Sequence, residues 1–388
     1  MRKVYLDHNA TTPTDPLVLE AMLPYYGEFF GNPSSVHEFG RLARKGIDEA
    51  RKSVAAAIGA RDVDEIIFTG SGTEADNCAV RGVADALKAK GSHIITSVIE
   101  HQAVLNVCKF LEKNGCSVTY LPVDTYGVVD VEALKKAITD TTILVSVMFA
   151  NNETGTIQPI AEIASIARQK GVLLHTDAVQ AVSRVPVNVA QLGVDMLSLS
   201  AHKFYGPKGV GALYVRKGLK LTPLILGGHH EKNRRAGTEN VAGIVGCGKA
   251  IELATKDMDA QTSRIKALRD RLEKGILGAI KHTYVNGHPQ KRLCNTANIS
   301  FEYLEGESIL LNLDMEGVGA STGSACTSGS LEPSHVLAAM GVDPVRTQGS
   351  VRFSLGTSNT EEDIDYVVKT LPPIIEKLRK MSPLYKEK

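Results

Sequence analysis

The stretch SLSAHKFYGPKG at 198–209 sets a hydroxyl, an imidazole and an amine within four positions, at Ser200, His202 and Lys203, directly behind an apolar run. A lysine amine has an ordinary pKa of about 10.4 and is a poor nucleophile while protonated. Burial beside other cations lowers that value and makes the amine a Schiff-base former toward an aldehyde. A lysine at a strand end also snorkels to water readily, so Lys203 alone does not decide between a surface amine and a cofactor anchor. The other strand ends decide.

Ligands of open α/β sheets gather at the carboxyl ends of the strands. The segment TGSGTEADN at 69–77 puts glycines and a hydroxyl before a helical pattern. Such a turn caps a helix, and its free N–H groups and helix dipole also seat a phosphate at Gly72 and Thr73. It lacks the GK[ST] ending of a Walker loop. His101, in EHQ at 100–102, offers a flat ring that stacks on a heterocycle and carries protons near neutral pH. In ANNETG at 150–155 the two amides, Asn151 and Asn152, either hold a turn or, as a pair projecting into a cleft, bind a substrate carboxylate. HTDAVQ at 175–180 ends a strand in Asp177, and a carboxylate there is costly unless a cation meets it. A pyridinium nitrogen is such a cation, with Gln180 one turn on to reach a phenolic oxygen and Ser200 and His202 to donate to a phosphate. Each group answers a different part of one molecule, pyridoxal 5′-phosphate.

Positioning these residues requires a sheet. From about 16 to 255 short apolar runs alternate with helical patterns, the signature of βαβ units. Strands are expected at 65–68, 93–98, 117–121, 143–149, 172–176, 196–200 and 210–215, with helices near 40–58, 73–90, 102–114, 131–139 and 160–170. The 204–209 turn is too short for a parallel crossover, so at least one strand runs antiparallel. A long helical pattern spans 241–278, and strands at 298–301 and 351–354 belong to a second unit. The expected fold is α/β: a large domain at 16–255 built on a seven-stranded, mainly parallel sheet, and a smaller α+β domain made of 1–15 and 256–388.

The 388 residues are more than one hydrophobic core usually serves. With 44 basic against 43 acidic residues the net charge is +1, which gives no reason to expect nucleic acid or an anionic membrane surface. The two arginines of RRAGTEN at 234–240 lack interleaved aromatics and make a poor nucleic-acid patch. No run approaches the roughly 18 apolar residues of a membrane helix, and the polar N-terminus does not read as a signal peptide; a cytoplasmic location is expected. The six cysteines have no CxxC spacing, which argues against a zinc site or a disulfide framework. Five fall in segments that read as helix or apolar strand, whereas Cys326 lies in a Gly/Ser/Thr-rich stretch. His101, His175, Asp177 and His202 lack the spacing of a metal hydrolase.

TGSGTEADN, EHQAV at 100–104, ANNETG, HTDAVQ, SLSAHKFYGPKG, RAGTEN at 235–240, STGSACTSG at 321–329 and RFSLG at 352–356 together resemble the cysteine desulfurases of the NifS/IscS type. These belong to the class V aminotransferase group of pyridoxal phosphate enzymes with fold type I. The likeness runs from YLDHNATTP at 5–13 to about residue 370, in family order. It implies a homodimer that converts L-cysteine to L-alanine and leaves sulfur on its own thiol as a persulfide, for an iron–sulfur scaffold or another acceptor. It implies Lys203 as the cofactor-linking lysine and base, Asp177 as the pyridinium partner, Gln180 as the donor to the phenolic oxygen, and His101 as the stacking acid/base. Gly72, Thr73, Ser200 and His202 match the phosphate positions, and Thr238 matches a residue that reaches the neighbouring subunit's phosphate. Asn152 and Arg352 match the groups that hold the substrate carboxylate. Cys326 is the implied sulfur acceptor and a transient iron–sulfur ligand shared with a scaffold; its glycine-rich segment at 317–334 has little apolar area to anchor it, so it is expected to swing. Selenocysteine lyase and other class V reactions are the near alternatives, and a non-enzymatic sulfur carrier the distant one.

Overall fold

The computed structural model describes residues 2–323 and 333–385. After a two-residue strand, β1 (Val4–Tyr5), come β2 (Ile66–Thr69), β3 (His93–Ser97), β4 (Ser117–Leu121), β5 (Thr142–Ser146), β6 (Leu173–Asp177), β7 (Met196–Ser200) and β8 (Gly211–Val215). The last seven form one sheet in the order β2-β8-β7-β6-β5-β3-β4. Only β8 runs antiparallel to its neighbours, β2 and β7, as the short 204–209 turn requires. Every other strand therefore delivers its carboxyl end to the same edge.

Successive strand residues face opposite sides, and the sequence fills both sides with apolar groups. Phe68, Ile95, Val145 and Leu197 pack under the helices Glu38–Ala57 and Val241–Lys256. Their neighbours Ile67, Ile94, Leu144 and Met196 pack under Gly72–Ala86 and Gln102–Lys113. The helices Glu38–Ala57 and Val241–Lys256 lie so close that a Cβ on Gly248 would sit 2.5 Å from the Ala50 Cα. A sheet covered on both faces reads as near-continuous apolar runs, which explains why its buried strands are recognisable in the sequence; the edge strand β4 is only half-buried.

A second core surrounds a three-stranded antiparallel sheet in which β10 (Thr296–Phe301) lies between β9 (Thr283–Asn286) and β12 (Ser350–Ser354). Leu272, Ile276, Phe301, Phe353, Val367 and Leu371 fill it. Here β1 pairs in parallel with β11 (Val318–Gly319), and Asp7 bridges to Ser354, so the chain's start is built into its end.

Three local expectations differ. The 241–278 pattern is two helices, Val241–Lys256 and Met258–Ala279, interrupted at Asp257, whose φ of −122° and ψ of 33° are not helical. Apolar periodicity runs through the break and conceals it. β5 ends at Ser146, yet Val147 and Phe149 still donate to the His175 and Asp177 carbonyls at 3.1 and 2.8 Å. Cys294 sits in a turn and Cys116 in the connection just before β4, both half-buried, rather than in helix or strand. No helix among the described residues is long and apolar enough to cross a membrane.

Candidate active site

The carboxyl-terminal edge of the sheet opens onto a cleft of about 370 Å³. Gly72, Thr73, His101, Asn152, Asp177, Gln180, Ser200, His202, Lys203 and Arg352, ten of the residues singled out in the sequence, line it. A larger cavity of about 840 Å³ lies at the opposite strand ends and contains none of them; its charges are taken up in pairs such as Arg216–Asp195 and Lys217–Asp62.

Lys203 closes a short 3-10 turn, Ala201–Lys203, that leaves β7. The turn is bolted to the N-terminal segment: the His202 carbonyl accepts from the Thr12 N–H at 2.9 Å and from the Thr12 hydroxyl at 3.0 Å. The Lys203 Nζ donates to the Asn9 and Ala10 carbonyls at 2.5 and 2.8 Å. Gln180 Nε2 donates to the same Asn9 carbonyl at 2.9 Å. His202 bonds Thr11 Oγ1 through Nδ1 at 3.1 Å, and its pKa falls to about 4, first through burial and then through Lys203 and Lys208. It is a neutral ring at physiological pH.

The floor is acidic and buried. Asp177, at the end of β6, accepts from the Val179 N–H at 2.9 Å; burial raises its pKa, opposed by the charges of His101 and Lys203. Below it His175 spans β5 to β7, bonding Ser146 Oγ through Nδ1 at 2.9 Å and Ser198 Oγ through Nε2 at 3.0 Å. Asp76 lies 3.6 Å from His175 Nε2, but the two form no ion pair. Burial drives the His175 pKa down to about 3, and burial followed by the Asp177 charge holds Asp76 well above the usual carboxylate range. Glu100 bonds Ser97 Oγ at 2.5 Å and the Met148 N–H at 3.0 Å, yet burial pushes it up to about 8.

His101 caps the helix Gln102–Lys113, with Nδ1 accepting from the Ala103 N–H at 3.1 Å. The neutral ring therefore carries its proton on Nε2. Ser71 caps the helix Gly72–Ala86 by accepting from Glu74 N–H at 3.1 Å. The first N–H groups of a helix have no intrahelical acceptor, so those of Gly72 and Thr73 are donors at the cleft. At the rim Arg352 pairs with Asp7 at 2.7 Å and donates to the Asn152 carbonyl at 3.0 Å, while its Nε is buried without a hydrogen-bond partner.

The two amides of ANNETG do different work. Asn152 lines the cleft, whereas Asn151 is the turn holder, its Oδ1 accepting from the Glu153 and Thr154 N–H groups at 2.9 Å each. Thr238 is exposed and does not line the cleft. Its segment follows three residues with left-handed backbone, Glu231, Lys232 and Asn233 at φ 48°, 56° and 65°. Such strain persists only where neighbours enforce it; here Arg51 grips the Glu231 carboxylate at 2.7 and 2.6 Å. Cys326 lies outside the described residues, and no cluster of three metal-ligating side chains occurs among those described.

Sequence reasoning missed Asn9, Ala10 and Asp76, which also line the cleft. The run of polar residues after Leu6 and the one-turn spacing from Gly72 to Asp76 were the available signals. The donor set fits pyridoxal phosphate: helix N–H groups with Ser200 and His202 for the phosphate, an uncharged amide for a phenolic oxygen, and a buried carboxylate whose cost a protonated ring nitrogen offsets.

The chain matches the family described as aminotransferase class-V over residues 4–367. It is 59% identical to cysteine desulfurase IscS of Dictyoglomus turgidum, over 100% of this chain and 98% of that protein. It is 57% identical to cysteine desulfurase IscS of Methanosarcina thermophila, over 99% and 94% respectively. Among solved structures, a NifS-like protein superposes with a TM-score of 0.92 at 40% identity, over 97% of this chain and 100% of the other. SspA in complex with cysteine superposes with a TM-score of 0.82 at 36% identity, over 92% and 100%.

Proposed function

The chain belongs to the class-V aminotransferases and is a cysteine desulfurase that uses pyridoxal 5′-phosphate, and from that premise we propose how its residues divide the work. Lys203 holds the cofactor aldehyde, Asp177 the ring nitrogen and Gln180 the phenolic oxygen. Gly72, Thr73, Ser200 and His202 hold the phosphate, and His101 covers the ring face. Bound there, the cofactor supplies an electron sink for the substrate α-carbon.

The chain's own groups do the rest. Arg352 and Asn152 receive the L-cysteine carboxylate; the buried, unpartnered Arg352 Nε supports this role because it is a donor still to be satisfied. As a free amine Lys203 Nζ would take the α-proton, and His101 Nε2 would carry protons at the cleft mouth. The Cys326 thiolate attacks the substrate sulfur: an S–S bond forms, the C–S bond breaks with its electron pair left on carbon, and protonation there yields L-alanine. The thiolate, with an ordinary thiol pKa of about 8.5, is the reactive form. The persulfide then serves an acceptor, which we assign to iron–sulfur cluster assembly, with Cys326 a transient ligand there.

The same reading divides the chain into a sheet domain at 16–255 and a small domain of 1–15 and 256–388 that carries the Cys326 segment. It makes the enzyme a cytoplasmic homodimer in which Thr238 reaches the partner's phosphate; the exposure of Thr238, just beyond the left-handed 231–233 turn, supports that assignment. The observation that carries the reading is the convergence of Lys203, Asp177, the Gly72 helix start and Arg352 on one cleft. Incubation with L-cysteine and a thiol reductant tests it. Equimolar alanine and sulfide are expected, and none from Lys203→Ala; alanine without sulfide overturns the sulfur-transfer step.

A further inference from the structure

Arg184 is buried behind the cleft and does not line it. Its Nη1 donates to both the side-chain Oε1 and the main-chain oxygen of Gln180, at 2.8 Å each. Its Nη2 reaches the carbonyls of His8 and Lys203 at 3.4 Å. All four acceptors are uncharged. A guanidinium has no acceptor and stays protonated in proteins, so a full positive charge sits beneath the lysine turn with no carboxylate bonded to it. The titratable groups that face it from other segments are His8, Tyr205, Cys294 and Arg352.

Because arginine only donates, the atom of Gln180 that meets it must be the amide oxygen. Nε2 is then the atom turned to the cleft, where it meets the Asn9 carbonyl beside Lys203 Nζ. We infer that Arg184 is a positioning residue for the cofactor: it fixes the Gln180 amide so that an N–H, never a carbonyl, meets the phenolic oxygen, and it polarises that N–H. Hydrogen bonds in series strengthen one another in a low-dielectric interior, so the donor is better than a free glutamine. The inference rests on the reading that Gln180 contacts the phenolic oxygen, and it adds to that reading an electrostatic control the cleft residues do not provide.

The test compares holoenzyme with Arg184→Met, Arg184→Lys, Gln180→Ala and the double variant Gln180→Ala/Arg184→Met. Two quantities are read: the pH midpoint of the cofactor's visible absorption band, and the cofactor dissociation constant on reconstitution. Loss of an oriented, polarised donor favours the protonated chromophore. Arg184→Met is therefore expected to raise the midpoint by about one unit and weaken cofactor binding about tenfold. Arg184→Lys keeps the charge without the fork and falls between, which also serves if Arg184→Met fails to fold. In the Gln180→Ala background Arg184→Met adds little further, the mark of residues acting in series. A residue that only packs would lower the melting temperature and leave both quantities unmoved. Gln180→Ala shifting the midpoint while both Arg184 variants leave it unchanged overturns the inference alone. No shift in Gln180→Ala overturns the reading of Gln180 on which it rests.

Discussion

Replacing Asp177 with Asn should move two properties in opposite directions. Asparagine keeps the shape and the Oδ1 that accepts from the Val179 N–H at 2.9 Å, and removes only the charge. In the cofactor-free protein that charge is unfavourable: burial raises the Asp177 carboxyl, and the Asp177 charge helps raise Asp76 and Glu100. A carboxyl whose folded pKa lies above its unfolded value contributes stability fully present below the unfolded pKa, about 3.9, and lost as pH rises through the folded pKa. Asp177→Asn should therefore stabilise the cofactor-free protein at pH 8, by about 1–4 kcal/mol if relief of a buried charge sets the scale. At about 2.1 cal/mol/K of unfolding entropy per residue, the melting temperature rises by roughly 1–5 °C, and by almost nothing near pH 4. The loaded enzyme loses the partner of the ring nitrogen, so cofactor affinity and alanine production should both fall, by about 100-fold or more given the roughly 3–5 kcal/mol attached to breaking a buried pair. Thermal melts of the cofactor-free protein at both pH values and a timed alanine assay are sufficient. A lower melting temperature at pH 8, or unchanged turnover, refutes the account of the acidic floor.

Glu100, pushed up to about 8 by burial, should make cofactor-free stability decline as pH rises from about 4.5 to 8, and Glu100→Gln should flatten that part of the melting profile. Arg352→Gln should raise KM for L-cysteine about 10–100-fold in steady-state kinetics, the cost of losing charged hydrogen bonds to a carboxylate. A change confined to kcat would remove Arg352 from substrate binding. Cys326→Ala should keep the cofactor band while alanine and sulfide release fall together, and unchanged alanine formation would rule out the persulfide route.

What the sequence reveals depends on whether the cause is local. The strands β2, β3 and β5 to β8 are buried almost throughout, so each carries a short apolar run, and the chemistry at their carboxyl ends follows at once; the edge strand β4, SVTYL, is only half-buried. The Asp257 break is invisible because apolar periodicity continues across it. Asn9 and Ala10 escape because their contribution is two backbone carbonyls, which no residue type encodes, brought to Lys203 from almost two hundred positions away. Arg184 reads as an ordinary charged residue four positions after Gln180, and only its burial marks it out.

The pairing of β1 with β11, and of Asp7 with Ser354, also sets a timetable for the molecule's birth. Asn9, the shared acceptor of Lys203 and Gln180, hangs from a strand whose partners lie more than a hundred residues beyond Lys203 in the chain. At about 5–20 residues per second of synthesis, the β2–β8 strands emerge well before those partners, leaving the lysine without its finished surroundings for some seconds. The Asn9 and Ala10 carbonyls can therefore reach Lys203 in their final setting only after residues 318–354 have been made.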